Sequence, residues 1–167
     1  MTFGLRIAVL VWCGLSFLNS PLYAATCEAL PGASAGLAEA NAYRARAGVQ
    51  PLAESPALRK AALAFACDMA RRSYFSHHSP EGQGVVGRAS SVGFKGRCVG
   101  ENIGRGLGIT LGAGAQVKRW ENSAGHRQQL LAKRYDRAGL AGVKIGKNSY
   151  WVMIFGGCTG SIFETFP

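Results

Sequence analysis

Four cysteines, at positions 27, 67, 98 and 158, constrain this chain more than any other feature, provided they sit in an oxidising compartment. The first two dozen residues supply that condition. Met1 to Arg6 carries one positive charge, and Ile7 to Leu18 is an apolar run of about a dozen residues, too short to cross a bilayer as a helix. Asn19, Ser20 and Pro21 break the run, and Leu22-Tyr23-Ala24 ends in the small residue that a signal peptidase requires. Residues 1–24 therefore read as a cleavable signal peptide, cut after Ala24 or Ala25, and residues 25–167 as a single exported domain, secreted or periplasmic. Thr26 before Cys27 and Trp12 before Cys13 are too large for a lipidated cysteine. Cys13 leaves with the signal, so the remaining four cysteines are expected in two disulfides, for which three pairings exist. The preferred pairing is Cys67–Cys98 with Cys27–Cys158. No two of these cysteines are spaced as a CxxC zinc or redox motif.

The mature part, about 143 residues, suits one domain with a sizeable core. The whole chain carries a formal net charge of +10, of which Arg6 is lost with the signal. Such a charge favours anionic surfaces: lipid headgroups, cell-envelope polymers or nucleic acid. The cations are scattered, from Arg44 and Arg46 through Arg71 and Arg72 to Lys133 and Arg134, without a basic stripe interleaved with aromatics. Nucleic-acid binding is therefore not expected.

Local signals place helices first and strands last. Ser34 has the chemistry of an N-cap for a helix that ends at Gly48. Ser55-Pro56 opens a second helix, whose Leu58, Ala61, Ala62, Phe65, Met69 and Ala70 recur at helical spacing until Arg71-Arg72. A polar loop, Ser73 to Gly84, holds His77 and His78 and leads to a short helix over Val85 to Ser91. Phe94 to Gly108 carries Cys98 and the run Gly100-Glu101-Asn102-Ile103-Gly104; two more helices follow, Ala115 to Glu121 and Ser123 to Ala132. Gly139 to Ile145 and Tyr150 to Phe155 read as a hairpin joined through residues 146–149. The fold class is α+β, with helices packed on an antiparallel sheet.

Two glycine patterns carry no chemistry. Gly32-Ala33-Ser34-Ala35-Gly36 matches a nucleophile elbow in letters, but no strand precedes it. The glycines at 104, 106, 108, 112 and 114 lack the spacing and the βαβ setting of a phosphate cradle and read as a flexible loop. The three histidines matter more. His77 and His78 on a loop, His126 at a helix start and a carboxylate such as Glu101 make up an open divalent-metal site if the fold gathers them, zinc being the natural ion. Sequence spacing alone does not gather them.

A longer pattern does. Asn41-Ala42-Tyr43-Arg44 with Gly48 and Leu52, Tyr74-Phe75-Ser76-His77-His78-Ser79-Pro80-Glu81-Gly82, Gly100-Glu101-Asn102-Ile103 and Trp120-Glu121-Asn122-Ser123-Ala124-Gly125-His126-Arg127 follow in order. Together, over roughly residues 36 to 157, they resemble the bacterial branch of the CAP superfamily, which includes cysteine-rich secretory proteins, insect venom antigens and plant pathogenesis-related proteins. The resemblance implies an α-β-α sandwich with a central antiparallel sheet and a cleft floored by two histidines and acidic residues. It assigns His77 to the H-x-x-P segment, because Pro80 stands three residues on, Glu101 to G-E-N-[IL] and His126 to the G-H segment. These three are the expected metal ligands, with His78 and Ser123 as further binding residues. Ser123 stands where the eukaryotic branch has a second acid, and Gln129 where bacterial relatives tend to have asparagine. Asn41, Arg44 and Trp120 are expected to pack and hydrogen-bond rather than touch ligand.

Three functions fit. The first is an exported binding module whose cleft holds a divalent metal, a lipid or an envelope component. The second is a metal-assisted hydrolase or protease using the same cleft, which the missing second acid weakens. The third is a cationic protein that meets anionic cell-envelope polymer without a cleft ligand. An alternative role for Glu101 is to hydrogen-bond one imidazole nitrogen and fix its tautomer.

Overall fold

The computed structural model describes residues 27–158; the expected signal peptide and its cleavage site lie outside them. Ten elements follow one another: β1 (Glu28–Ala29), α1 (Ala33–Arg46), β2 (Ala53–Glu54), α2 (Pro56–Arg71), α3 (Val85–Ser91), β3 (Cys98–Gly106), α4 (Ala113–Glu121), α5 (Ala124–Leu130), β4 (Tyr135–Ile145) and β5 (Asn148–Gly157). The sheet runs β1-β4-β5-β3, with β2 attached to the start of β4. All pairings are antiparallel except that of β2 with β4.

The sheet is the middle layer of an α-β-α sandwich because β4 and β5 are apolar on both faces. Ala141, Val143, Val152 and Ile154 pack with Leu58, Ala62, Phe65 and Met69 of α2 and with Ala89 of α3. Leu140, Trp151, Met153 and Phe155 pack on the other face with Leu37 and Ala40 of α1, Val117 and Trp120 of α4 and Leu130 of α5. Odd and even positions part in this way because successive side chains in a strand point to opposite faces. Each fully buried Leu, Phe or Trp contributes about 1.5–3 kcal/mol against exposure.

The α+β expectation holds, and the second and third helices sit where the spacing placed them. Ser55 caps α2, its side chain accepting from the Leu58 N–H, with Pro56 at the first helical position. Several local expectations are corrected. Helix α1 starts from Gly32, in a left-handed conformation, and not from Ser34. Residues 98–106 form the nine-residue strand β3, so Gly104 and Gly106 are strand positions and not loop. A Cβ at Gly104 would collide with the Gln116 side chain, and one at Gly106 with the Ile109 carbonyl, so glycine here admits close neighbours. Helix α4 begins at Ala113, earlier than Ala115. The hairpin is longer than its apolar runs: Ile145 pairs with Asn148 around a two-residue turn, Gly146 and Lys147.

The disulfides join Cys27 to Cys67 and Cys98 to Cys158, with Cα–Cα separations of 5.7 and 5.3 Å, which overturns the expected pairing. The sheet explains why. Cys67 lies on the α2 side and Cys98 packs against the opposite cluster, so a bond between them would have to cross the middle layer. Cys27 leads into β1 beside Val143, on the α2 side. Cys98 stands opposite Gly157 in the β3–β5 ladder, one residue from Cys158.

Candidate functional site

Strand β3 presents Glu101 and Asn102 on opposite faces, and each face receives one histidine. On the α3 side, Glu101 is buried, its side chain 2% exposed, and both oxygens are committed. Oε1 lies 2.9 Å from His77 Nδ1, and Oε2 accepts from Arg88 Nη2 at 2.6 Å. Arg88 comes from α3, stacks over Phe65 at 3.4 Å from the ring centroid, and also donates to the carbonyls of Gln83 and His77. A carboxylate beside Nδ1 favours the proton on that nitrogen and leaves Nε2 as the free lone pair. The alternative role for Glu101, holding an imidazole, is therefore the one its contacts describe.

On the α5 side, Asn102 is fully buried and its Nδ2 donates to the His126 carbonyl at 3.0 Å, tying the start of α5 to the strand. His126 Nδ1 lies 2.8 Å from Ser123 Oγ. Ser123 occupies the N-cap position of α5 without a capping bond from its side chain, so its hydroxyl serves the imidazole. Burial, and then the neighbouring His77, holds His126 below the usual histidine range, so its ring is neutral at pH 7.

The two histidines meet at one cavity of about 270 Å³, lined by His77, Glu101, Asn102, Ser123, His126 and Gln129 together with Gly125. A second cavity of about 580 Å³ adjoins it, sharing Ser123 and His126 and running along Ile103 to Leu107. Four of the five expected site residues, His77, Glu101, His126 and Ser123, are thus brought together. His78 is not: its ring lies against Gly84, away from the cavity. Among the described residues no group of three or more His, Cys, Asp or Glu side chains is placed to hold a metal ion. Glu101, engaged by both His77 and Arg88, offers no free oxygen as a third ligand. Besides Glu101, the metal-capable side chains that line the cavity are the two imidazoles.

The residues expected to support the fold do so. Asn41 exchanges two hydrogen bonds with the Leu52 backbone. Arg44 is fully buried and donates to the carbonyls of Gln50, Leu130, Ala132 and Tyr135. Trp120 Nε1 donates to the Ile103 carbonyl at 3.0 Å. Sequence reasoning missed Arg88, the partner of Glu101. Its signal was present: Val85, Arg88 and Ala89 share one face of a short helix, which puts a cation on the buried side.

The profile described as the Cysteine-rich secretory protein family (CAP) matches residues 37–155. YkwD of Bacillus subtilis (strain 168) is 34% identical over 115 residues, 69% of this chain and 43% of the relative, so the chain spans less than half of the curated relative it matches. Among solved structures, an extracellular protein containing a SCP domain from Bacillus anthracis str. Ames superposes with a TM-score of 0.65 at 24% identity, over 75% of this chain and 40% of that one. An outer surface protein of Borrelia burgdorferi gives 0.70 at 18% identity, over 79% of this chain and 98% of the other. At these identities the structural likenesses establish the fold.

Proposed function

This chain is a member of the CAP, or cysteine-rich secretory protein, family, and from that premise we propose that it is an exported binding module whose ligand sits between His77 and His126. Its structural neighbours, an extracellular protein and an outer surface protein, support a secreted or periplasmic location, as does the apolar run of Ile7 to Leu18. No helix among the described residues is long and apolar enough to cross a membrane. The cationic surface adds affinity for anionic lipid or envelope polymer near the site of action.

The observation that carries this reading is the double engagement of Glu101. Its carboxylate orients His77 and neutralises Arg88, so it is a positioning group and no free base. Among the described residues no second carboxylate lines the cavity. What remains facing the ligand is directional: two imidazole nitrogens and the Ser123, Asn102 and Gln129 side chains. That is the chemistry of recognition. Hydrolysis would have to draw its base from an imidazole, since the carboxylate is committed to His77 and Arg88.

Zinc is the ion we propose for this cleft; His77 and His126 would hold it, with its remaining positions open. Bound there, it would polarise a carbonyl or take a carboxylate oxygen of the ligand. The test is calorimetric titration of zinc into the mature, oxidised protein. Saturable binding abolished by both His77→Ala and His126→Ala is the expected result. No heat in the wild type removes the metal from this reading, and binding that survives both substitutions places the ion elsewhere.

A further inference from the structure

The larger cavity beside the histidines is built around the open edge of the sheet. β3 is the terminal strand of the order β1-β4-β5-β3, so its outer side pairs with no other strand among the described residues. The carbonyls of Ile103 and Arg105, two residues apart and therefore directed to one side of the strand, meet Trp120 Nε1 at 3.0 Å and Arg119 Nη1 at 3.3 Å from α4. The groove runs along this edge, away from the histidines and toward Leu107 and Ile109.

Three kinds of group line it. The first is cationic: Arg105, 4.8 Å over the Phe75 ring, and Arg119, neither in an ion pair among the described residues. The second is apolar and open to solvent: Leu107 is 61% exposed, Ile109 54% and Phe75 37%. The third is a buried acceptor. Gln116 is 3% exposed, lines the groove over Gly104, and its Oε1 has no hydrogen-bond partner; Asn102 Oδ1 is in the same condition in the histidine cavity next door. A buried carbonyl oxygen left unpaired is costly, so both oxygens call for an N–H or O–H donor.

These groups select among ligands. An acyl chain satisfies Leu107 and Ile109 but brings no donor for Gln116. A sugar brings donors but leaves the exposed apolar side chains uncovered. An extended peptide brings both, with backbone N–H groups on one side and side chains alternating to either face. From Asn102 to Gly106 the edge measures about 13 Å, room for about five extended residues. The two guanidinium groups add a preference for carboxylate.

Building on the reading of the cleft as a binding site, we propose that this groove is a peptide subsite. In it an extended acidic segment lies beside the outer edge of β3, whose carbonyls α4 already caps, with its carboxylate at Arg105 and Arg119, its N–H donors toward Gln116, and its apolar side chains on Phe75, Leu107 and Ile109.

The test is fluorescence anisotropy of the mature, oxidised protein with a fluorescein-labelled, end-capped pentapeptide alternating Ile or Phe with Glu. Saturable binding is expected, weakened at least tenfold by the double variant Arg105→Glu/Arg119→Glu and about fivefold by Gln116→Leu. Lys60→Glu, a charge reversal on α2 away from this groove, should leave it unaltered. Both arginines are exposed, so their replacement leaves the core intact. Absence of saturable binding overturns the proposal, and so does equal weakening by Lys60→Glu, which would mean diffuse attraction to a cationic protein. Displacement by N-acetylated chitooligosaccharide or by anionic phosphatidylglycerol vesicles, but not by unlabelled peptide, assigns the groove to sugar or lipid and overturns it too. If the peptide fails while zinc still binds in a histidine-dependent way, this inference falls and the cleft reading stands. If zinc fails and the peptide binds, the metal alone is lost.

Discussion

Replacing Arg88 with Met takes the cation away from Glu101 while leaving an unbranched apolar stem over Phe65. The Arg88 and Glu101 side chains are 6% and 2% exposed, so the pair is buried on both sides. Removing one partner of a buried pair costs about 3–5 kcal/mol, because the other is left charged in a dry site. Here His77 stays 2.9 Å from Glu101 with half of its own side chain in water. That retained contact, open to solvent on one side, puts the expected loss near the low end, about 3 kcal/mol at neutral pH. With a urea slope of about 1.5–2 kcal/mol/M, the unfolding midpoint should fall by about 1.5–2 M. Tryptophan fluorescence reports it, since Trp120 and Trp151 lie buried on the α4 side of the sheet. Adding Glu101→Gln removes the stranded charge, so the double variant should be more stable than the sum of the single losses by about 1–2 kcal/mol. A loss below about 1 kcal/mol for Arg88→Met, or strict additivity in the cycle, would refute the claim that Arg88 and Glu101 stabilise one another in a dry site.

Two further outcomes follow from contacts already described. The His126 ring, followed by NMR, should titrate below the usual value of 6.5; His77→Ala should raise its midpoint without restoring it, because burial is the larger cause. Since the folded state holds His126 neutral while the unfolded chain protonates it, this residue favours the folded state above about pH 6.5 and loses that contribution as the pH falls, a slope that His126→Gln should remove. Gly139→Ala should cost more than about 3 kcal/mol in urea unfolding, because its Cβ would overlap backbone atoms of Leu58 and Arg59 at the start of α2, which cannot swing aside as a side chain would.

How much of this was legible in the sequence differs from element to element. Helix α2 was readable in full because a capping serine, a first-turn proline and an apolar stripe all agree. β3 was not, since its glycines at 100, 104 and 106 look like loop; they are there because Tyr135, Gln116 and Ile109 lie where side chains would stand. β1 and β2, two residues each, carry no pattern long enough to read. The disulfide pairing depends on which face of the sheet each cysteine reaches, a fact of the assembled layers. For the site, ordered motifs identified His77, Glu101 and His126, but not that Glu101 turns its carboxylate to Arg88. Burying that carboxylate requires a cation beside it; the helical face of Val85, Arg88 and Ala89 hints at one, and the docking of α3 shows that it meets Glu101.

The bond between Cys98 and Cys158 has a mechanical consequence. It rivets the first residue of β3 to the residue just past β5, so these two strands cannot peel apart from that end. Fraying of the outermost strand is confined to its other tip, where Gly106 faces Ser149. Amide protons there should exchange with solvent sooner than those near Val99. The groove tip at Leu107 and Ile109 is thereby the pliable end of a strand whose histidine end is clamped, so adjustment to ligands of different size falls to one end while the imidazoles keep their spacing.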